Sequence, residues 1–146
     1  PLLLKVAPDL AKHEIDDVAA VITEHTIDGL IVSNTTLSRP DTLSSRYSQE
    51  QGGLSGKPLF APSTQVLGAF YQRTEGRIPL VGVGGIASAE DAYAKIKAGA
   101  TLVQLYSALV YQGFALVRNI MQELPALLAK DGFTNISEAV GADFKK

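Results

Sequence analysis

The chain has 146 residues, 46% of them hydrophobic and 19% charged, with a formal net charge of −2 and no cysteine. This composition is ordinary for one globular domain, and the lack of a basic stripe or charge block argues against nucleic-acid binding. Disulfides, thiolate metal sites and a cysteine nucleophile are excluded within this stretch, and no apolar run approaches the roughly 18 residues of a membrane-spanning helix.

Leu2–Val6 reads as a strand buried on both faces and closed by Pro8-Asp9. It begins without a methionine, signal peptide or leading loop, which predicts that the chain is part of a longer protein. Ile15, Val18, Ala19 and Ile22 recur at helical spacing, so an amphipathic helix is expected from Lys12 to His25. Asp28–Asn34 is a second strand, and the polar stretch from Thr35 to about Lys57 is a loop long enough to suggest function. Pro62 suits the first turn of a helix that turns Val66, Leu67, Phe70 and Tyr71 inward. A third strand is expected at Ile78–Val83 and a helix from an N-cap at Ser88 to about Ala98, stopped by Gly99. Thr101–Tyr106 is the fourth strand. Val117, Ile120, Met121, Leu124, Leu127 and Leu128 mark a long final helix that Pro125 should kink or split. One short terminal turn is expected within Asn135–Gly141.

This βαβαβαβα order implies a parallel sheet covered by helices, in a single domain. An open doubly wound sheet could close at this length. A (β/α)₈ barrel needs about 250 residues, and the truncated start favours the chain being its last four units.

The segment Val81-Gly82-Val83-Gly84-Gly85-Ile86 joins the third strand to the next helix. Glycines there let backbone amides approach a phosphate, with the helix dipole assisting. A tight turn needing positive φ is the plainer reading. Gly82, Gly84 and Ala87 also satisfy G-x-G-x-x-A, but a dinucleotide site needs an acid roughly 20 positions later. The corresponding strand, Thr101 to Tyr106, has none, which disfavours that cofactor class.

Lys5 lies within an apolar strand, where an unpaired ammonium costs several kcal/mol and requires a partner. That partner could be a cofactor gaining negative charge during turnover or a structural ion pair; an edge position facing solvent is the other possibility. Asn34-Thr35-Thr36 ends the second strand, on the face where barrels keep their active sites. An amide there can donate to and accept from a planar imide or carboxylate, or simply form a turn. Gly52-Gly53-Leu54-Ser55-Gly56-Lys57-Pro58 is either a second backbone clamp or a flexible return. It fails the P-loop pattern because Pro58 replaces the hydroxyl residue. Tyr106-Ser107 occupies the position that supplies amides to the phosphate site of barrels, with a core-facing tyrosine as the alternative. His13 and His25 read as solvated, Glu90 and Asp91 as first-turn helix residues, and no metal site is expected.

Five motifs in order carry a resemblance: Lys5-Val6-Ala7-Pro8-Asp9, Ser33-Asn34-Thr35-Thr36, Gly52-Gly53-Leu54-Ser55-Gly56-Lys57-Pro58-Leu59, Gly82-Val83-Gly84-Gly85-Ile86, and Ala98-Gly99-Ala100 with Val103-Gln104-Leu105-Tyr106. With the closing Gly141-Ala142-Asp143, they resemble the C-terminal half of a class 2, quinone-linked dihydroorotate dehydrogenase. The resemblance implies a (β/α)₈ barrel that binds FMN, oxidises dihydroorotate to orotate in pyrimidine biosynthesis and passes electrons to a membrane quinone. It implies that Lys5 faces the flavin and stabilises its reduced form, and that Ser33 contacts flavin where many relatives have threonine. Asn34 and Thr35 would bind the pyrimidine, and Ser55, Gly56, Gly84, Gly85, Tyr106 and Ser107 would wrap the flavin phosphate.

By the same resemblance, a catalytic serine base would remove the C5 proton while hydride passes from C6 to flavin N5. That base has no counterpart in this chain, nor have the N-terminal helices that dock on the inner (bacterial cytoplasmic or mitochondrial) membrane. Gly113-Phe114-Ala115 departs from the family's Gly-Pro-Pro, which puts the local rim of the quinone tunnel in doubt. The alternatives are another FMN barrel, of dihydropyrimidine or dihydrouridine reductase type, and a non-catalytic half-barrel. Residues 1–146 alone are expected to lack dehydrogenase activity.

Overall fold

The computed structural model describes residues 1–25 and 27–145. Four short strands, β1 (Leu3–Val6), β2 (Gly29–Val32), β3 (Leu80–Val83) and β4 (Leu102–Gln104), form one parallel sheet in sequence order. Helix α1 (Lys12–Glu24) links β1 to β2, α2 (Phe60–Thr74) links β2 to β3, and α3 (Ala89–Lys97) links β3 to β4. Beyond β4 come α4 (Ser107–Gln112), α5 (Ala115–Lys130) and α6 (Ile136–Ala139). The strands are in step: Val6 pairs with Val32, Val32 with Gly82, and Gly82 with Val103. All four strands therefore end at one level, and the loops leaving them share one rim.

The main core lies between the sheet and α1 and α2. Ile15, Ala19 and Ile22 of α1 meet Val66, Leu67 and Phe70 of α2 over Leu30, Val32 and Leu80. The 3.6-residue spacing of these apolar positions is what aims them at the sheet. Ser88 caps α3 by accepting from the Asp91 amide at 3.2 Å, as its position before an acidic first turn predicts. A second apolar layer joins Ile86 and Ala92 to Leu116 and Ile120 of α5.

Several expectations need correction. β1 is not buried on both faces: Leu3 and Leu4 are each 39% exposed and Lys5 is exposed, because β1 is an edge strand whose inward face has no covering layer among the described residues. β2 and β4 stop at Val32 and Gln104, short of Asn34 and Tyr106, where the chain turns away to line the rim. The tract after Tyr106 holds a separate helix, α4, that the apolar pattern did not announce. Pro125 starts no new segment, since α5 runs through it from Ala115 to Lys130. Within α5, Leu116 and Ile120 are buried, whereas Val117 and Met121 are 38% and 68% exposed on the face turned from α3.

Candidate functional site

All ten residues singled out by sequence line one cavity of about 310 Å³ at the carboxyl ends of the strands: Lys5, Ser33, Asn34, Thr35, Ser55, Gly56, Gly84, Gly85, Tyr106 and Ser107. Its size is that of a small-molecule pocket. Two lysines, Lys5 and Lys57, reach its wall, and among the described residues no aspartate or glutamate does. Leu59, Ile86, Leu105 and Tyr111 add apolar surface. Such a lining, cationic and partly apolar, favours an anion over a cation.

The glycine turn is fixed by packing as well as by backbone conformation. Gly84 and Gly85 have φ of 107° and 72°, a region L-residues avoid. A Cβ at Gly85 would lie 2.5 Å from Cβ of Phe60, and one at Gly84 would lie 2.8 Å from Oγ of Ser63. The turn therefore rests directly on the first residues of α2. Ile86, Ala87 and the N-terminus of α3 continue the wall, and the Gln112 side-chain amide donates to the Ala87 carbonyl at 3.0 Å.

The opposite wall is the long loop, ordered by polar contacts. Thr36 and Leu54 exchange both backbone hydrogen bonds, Thr36 N to Leu54 O at 3.1 Å and Leu54 N to Thr36 O at 2.7 Å. The Thr36 hydroxyl donates to Asp9, which also accepts from the Leu37 amide at 3.0 Å. Arg39 gathers the loop, its guanidinium donating to six carbonyls, among them Ser48 at 3.1 Å, Glu50 at 3.0 Å and Gly52 at 2.6 Å. At the closing end, the Ser107 hydroxyl donates to Ser55 Oγ at 3.0 Å and joins this loop to the end of β4.

Of the placements open for Lys5, buried with a partner or facing solvent at an edge, the structure shows the second: Lys5 is exposed on β1. Tyr106 is 82% exposed, so it is no core tyrosine. Ser33 is buried, and its hydroxyl donates to the Asn34 carbonyl at 2.8 Å. The buried lysine is Lys95 on α3, which sequence reasoning passed over. It is wholly inaccessible, and its ammonium donates to Ser63 Oγ at 2.6 Å and to the carbonyls of Phe60 and Val83 at 3.4 Å. Burial pulls its pKa down to about 7, against a smaller upward pull from Asp91. A lysine at the apolar spacing of Ala92 and Ile96, on a helix following a glycine turn, was the available signal. Arg39 was also missed; the need to satisfy many loop carbonyls with one nearby cation could have found it.

Parallel β/α units in the unreversed order β1-β2-β3-β4, with a ligand-sized cavity at the strands' carboxyl ends, fit an α/β protein of the barrel class, whereas a doubly wound sheet reverses its strand order at the site. Comparison with known proteins narrows this. The family model described as dihydroorotate dehydrogenase matches residues 1–128, and the chain belongs to that family. It is 60% identical over 145 residues to dihydroorotate dehydrogenase (quinone) of Azorhizobium caulinodans, covering 99% of this chain and 41% of that protein. Against the mitochondrial dihydroorotate dehydrogenase (quinone) of Oryza sativa it is 57% identical over 146 residues, covering 99% of this chain and 31% of that one. The crystal structure of the Eimeria tenella enzyme with ferulenol matches at a TM-score of 0.96 and 41% identity, over 99% of this chain and 38% of that chain. The chain thus spans about two fifths or less of these relatives, and its fold is that of four β/α units of a (β/α)₈ barrel.

Proposed function

We propose that residues 1–146 are the C-terminal, cofactor-side half of a single flavin-binding barrel domain. The complete protein then oxidises dihydroorotate to orotate with FMN and passes the electrons to a quinone. The observation that carries this reading is the convergence of eight residues from four strand ends and two from the long loop on one cavity lined by lysines and hydroxyls, with no carboxylate among the described residues. That donor set fits FMN, with amides and hydroxyls for a phosphate, apolar side chains for a ring, and no acid to repel either. The names of the close relatives, dihydroorotate dehydrogenase (quinone), support the substrate pair.

FMN, when bound, supplies the redox chemistry, and the protein supplies position and electrostatics. In this reading, Lys5 offers its ammonium to the electron-rich ring. Ser33 adds a hydroxyl contact to the flavin and holds the Asn34 backbone through its 2.8 Å hydrogen bond. Asn34 and Thr35, both exposed at the rim, present an amide and a hydroxyl to the pyrimidine. Ser55, Gly56, Gly84, Gly85, Tyr106 and Ser107 hold the phosphate from two sides. The base that takes the C5 proton lies outside residues 1–146.

No helix among the described residues is long and apolar enough to cross a membrane. Peripheral docking on the inner membrane, through a part of the protein beyond this chain, is the arrangement that delivers a quinone. The mitochondrial designation of the plant relatives is compatible with it.

The test is steady-state turnover of the full-length protein with dihydroorotate and a soluble quinone analogue, beside a direct assay of released flavin. Orotate formation with stoichiometric FMN is expected, and Asn34→Ala should lower kcat/KM by about 10- to 100-fold, the range of one or two lost hydrogen bonds to a polar substrate. Absence of orotate formation, with reduction of the C5–C6 double bond of uracil or of uridine in RNA instead, would overturn the assignment in favour of another FMN barrel.

A further inference from the structure

Behind the glycine turn, and outside the cavity wall, lies the most unusual side-chain cluster in the molecule. Lys95 is wholly buried on α3, with Ser63 of α2 and the end of β3 around its ammonium. The elements packed against that ammonium present only neutral groups. From α2 come the Ser63 hydroxyl, the Phe60 carbonyl and the Phe60 ring, whose centroid is 5.2 Å away; from β3 comes the Val83 carbonyl. The charged group that acts on it is Asp91, one turn back on α3, and that carboxylate is already accepting from the Ala87 amide at 2.9 Å.

A buried ammonium without a directly paired anion is costly. It persists where its hydrogen bonds position something, or where an anion arrives later. Here both conditions point to the same place. Val83 immediately precedes Gly84, and the Ser63 hydroxyl, 2.6 Å from the ammonium, donates to the Leu59 carbonyl at 2.6 Å and sits 3.5 Å from the Gly84 carbonyl. Lys95 thus ties the last residue of β3 to the first turn of α2, the two surfaces between which Gly84 and Gly85 are held.

We propose that Lys95 is a positioning residue for the phosphate subsite, bracing the Gly84-Gly85 turn from behind through Ser63 and the Val83 carbonyl and holding its proton more tightly when a phosphate occupies the cavity. This rests on the FMN reading above. Lys95 touches no ligand; it acts through the turn and through its charge. A lysine with a pKa of about 7 is half-protonated near neutrality, so an anion within its field draws a proton on. By linkage, affinity for the phosphate-bearing ligand falls as pH rises above 7, while a ligand without the phosphate is indifferent.

The experiment uses the full-length protein stripped of flavin and titrated with FMN and with riboflavin, by flavin fluorescence, from pH 7 to pH 9. The phosphate of FMN is already dianionic through that range, its second pKa being about 6. In the wild type the FMN-to-riboflavin affinity ratio is expected to fall by about tenfold across it, the size of an ordinary coupling between two sites. Lys95→Met, which loses charge and brace together, should flatten the profile and lower the ratio at pH 7 to below the wild-type value at pH 9. Ser63→Ala keeps the lysine but loosens the brace, and should lower the ratio several-fold at pH 7 with riboflavin affinity unchanged. If Lys95→Met does not fold, that second variant decides, and an unchanged ratio overturns the proposal. A wild type that prefers FMN, with Lys95→Met keeping both ratio and pH slope, overturns the inference alone. A wild type that binds FMN no better than riboflavin removes the phosphate reading and the inference with it.

Discussion

The two walls of the cavity are held in place by different physics. The Gly84-Gly85 turn stands on buried structure: the start of α2, a brace through Ser63 and Lys95, and φ angles of 107° and 72° that glycine alone adopts without strain. The Ser33–Gly56 wall has few buried side chains, Ser33 and Thr36 among them. It is held by Asp9, by the Thr36–Leu54 bridge and by the carbonyls gathered around Arg39. The first wall is set by packing and shares the stability of the core. The second is set by solvent-accessible hydrogen bonds and can open locally without unfolding the rest. For the function proposed above, a phosphate gripped permanently and a substrate exchanged repeatedly, that division is well suited.

The comparison is tested most severely at Gly85. In Gly85→Ala the new Cβ would meet Cβ, Cα and N of Phe60 at 2.5 to 2.7 Å, and two of those three atoms are backbone. Overpacking and a positive φ of 72° act together, so a loss of about 3 kcal/mol or more is expected in denaturant unfolding of the full-length protein. Gly53→Ala makes the contrast on the other wall. Its Cβ would come 1.8 Å from Oγ1 and 2.4 Å from Cβ of Thr35, so turning the Thr35 side chain does not clear it and the backbone must shift. Both residues, however, lie on an exposed loop that can give without disturbing the core. That variant should keep the melting temperature within a few degrees of wild type while weakening pyrimidine binding. Equal destabilisation by the two alanines would erase the distinction between the walls.

Lys95 gives the next largest effect, and its sign follows from proton counting. Its folded-state pKa, about 7, lies below the unfolded value of 10.5. Between pH 7 and pH 10.5 the unfolded chain therefore binds the proton that the folded chain has released, and stability rises with pH across that window. Below pH 7 both states are charged and the full cost of burial is felt. The stability of the flavin-free wild type relative to Lys95→Met should thus climb from pH 7 to pH 10, by an amount on the order of a few kcal/mol. Urea unfolding of both proteins at the two pH values measures it. A difference independent of pH would mean that the ammonium under the turn is solvated, and the first wall would lose its electrostatic distinction.

What the sequence made legible follows the same division. The strands, α1 to α3 and the Ser88 cap could be read because apolar periodicity and capping chemistry are local. Eight of the ten cavity residues could be read because they stand at or just past a strand's carboxyl end, and in-register parallel strands bring those ends together. Ser55 and Gly56 lie in the long loop and could be read from its glycine-rich closing motif. Lys5 was placed correctly on β1 with burial or a solvent-facing edge left open, and the edge position is the one found, because an apolar run does not say which strand is an edge. Lys95 escaped for the opposite reason. A lysine in a helix of charged and small residues, Glu90 to Lys97, reads as surface until the turn of β3 is seen to pack over it. Arg39 escaped because its partners are backbone carbonyls, which carry no sequence signature. α4 was hidden in six residues, Ser107–Gln112, none of them buried.

Arg39 provides the mildest and most selective test. Its guanidinium is the hub for carbonyls from Thr36 to Gly52 and contributes nothing to the apolar core. Replacing it with alanine strands those carbonyls near solvent, where water can take most of them over, so the global cost should be only about 1 kcal/mol. Locally the change is larger, because Thr35 and Ser55 stand at the two ends of the segment that Arg39 ties together. Amide hydrogen exchange should therefore accelerate at Leu37 to Leu54 by about tenfold, as expected of a local opening made easier by one hydrogen-bond hub, while Gly82 to Ile96 stays unchanged. Lysine cannot substitute, since a single ammonium lacks the planar fork that reaches opposite sides of the loop at once; Arg39→Lys should exchange nearly as fast as Arg39→Ala. Faster exchange that spreads to the glycine turn would show the two walls to be one cooperative unit.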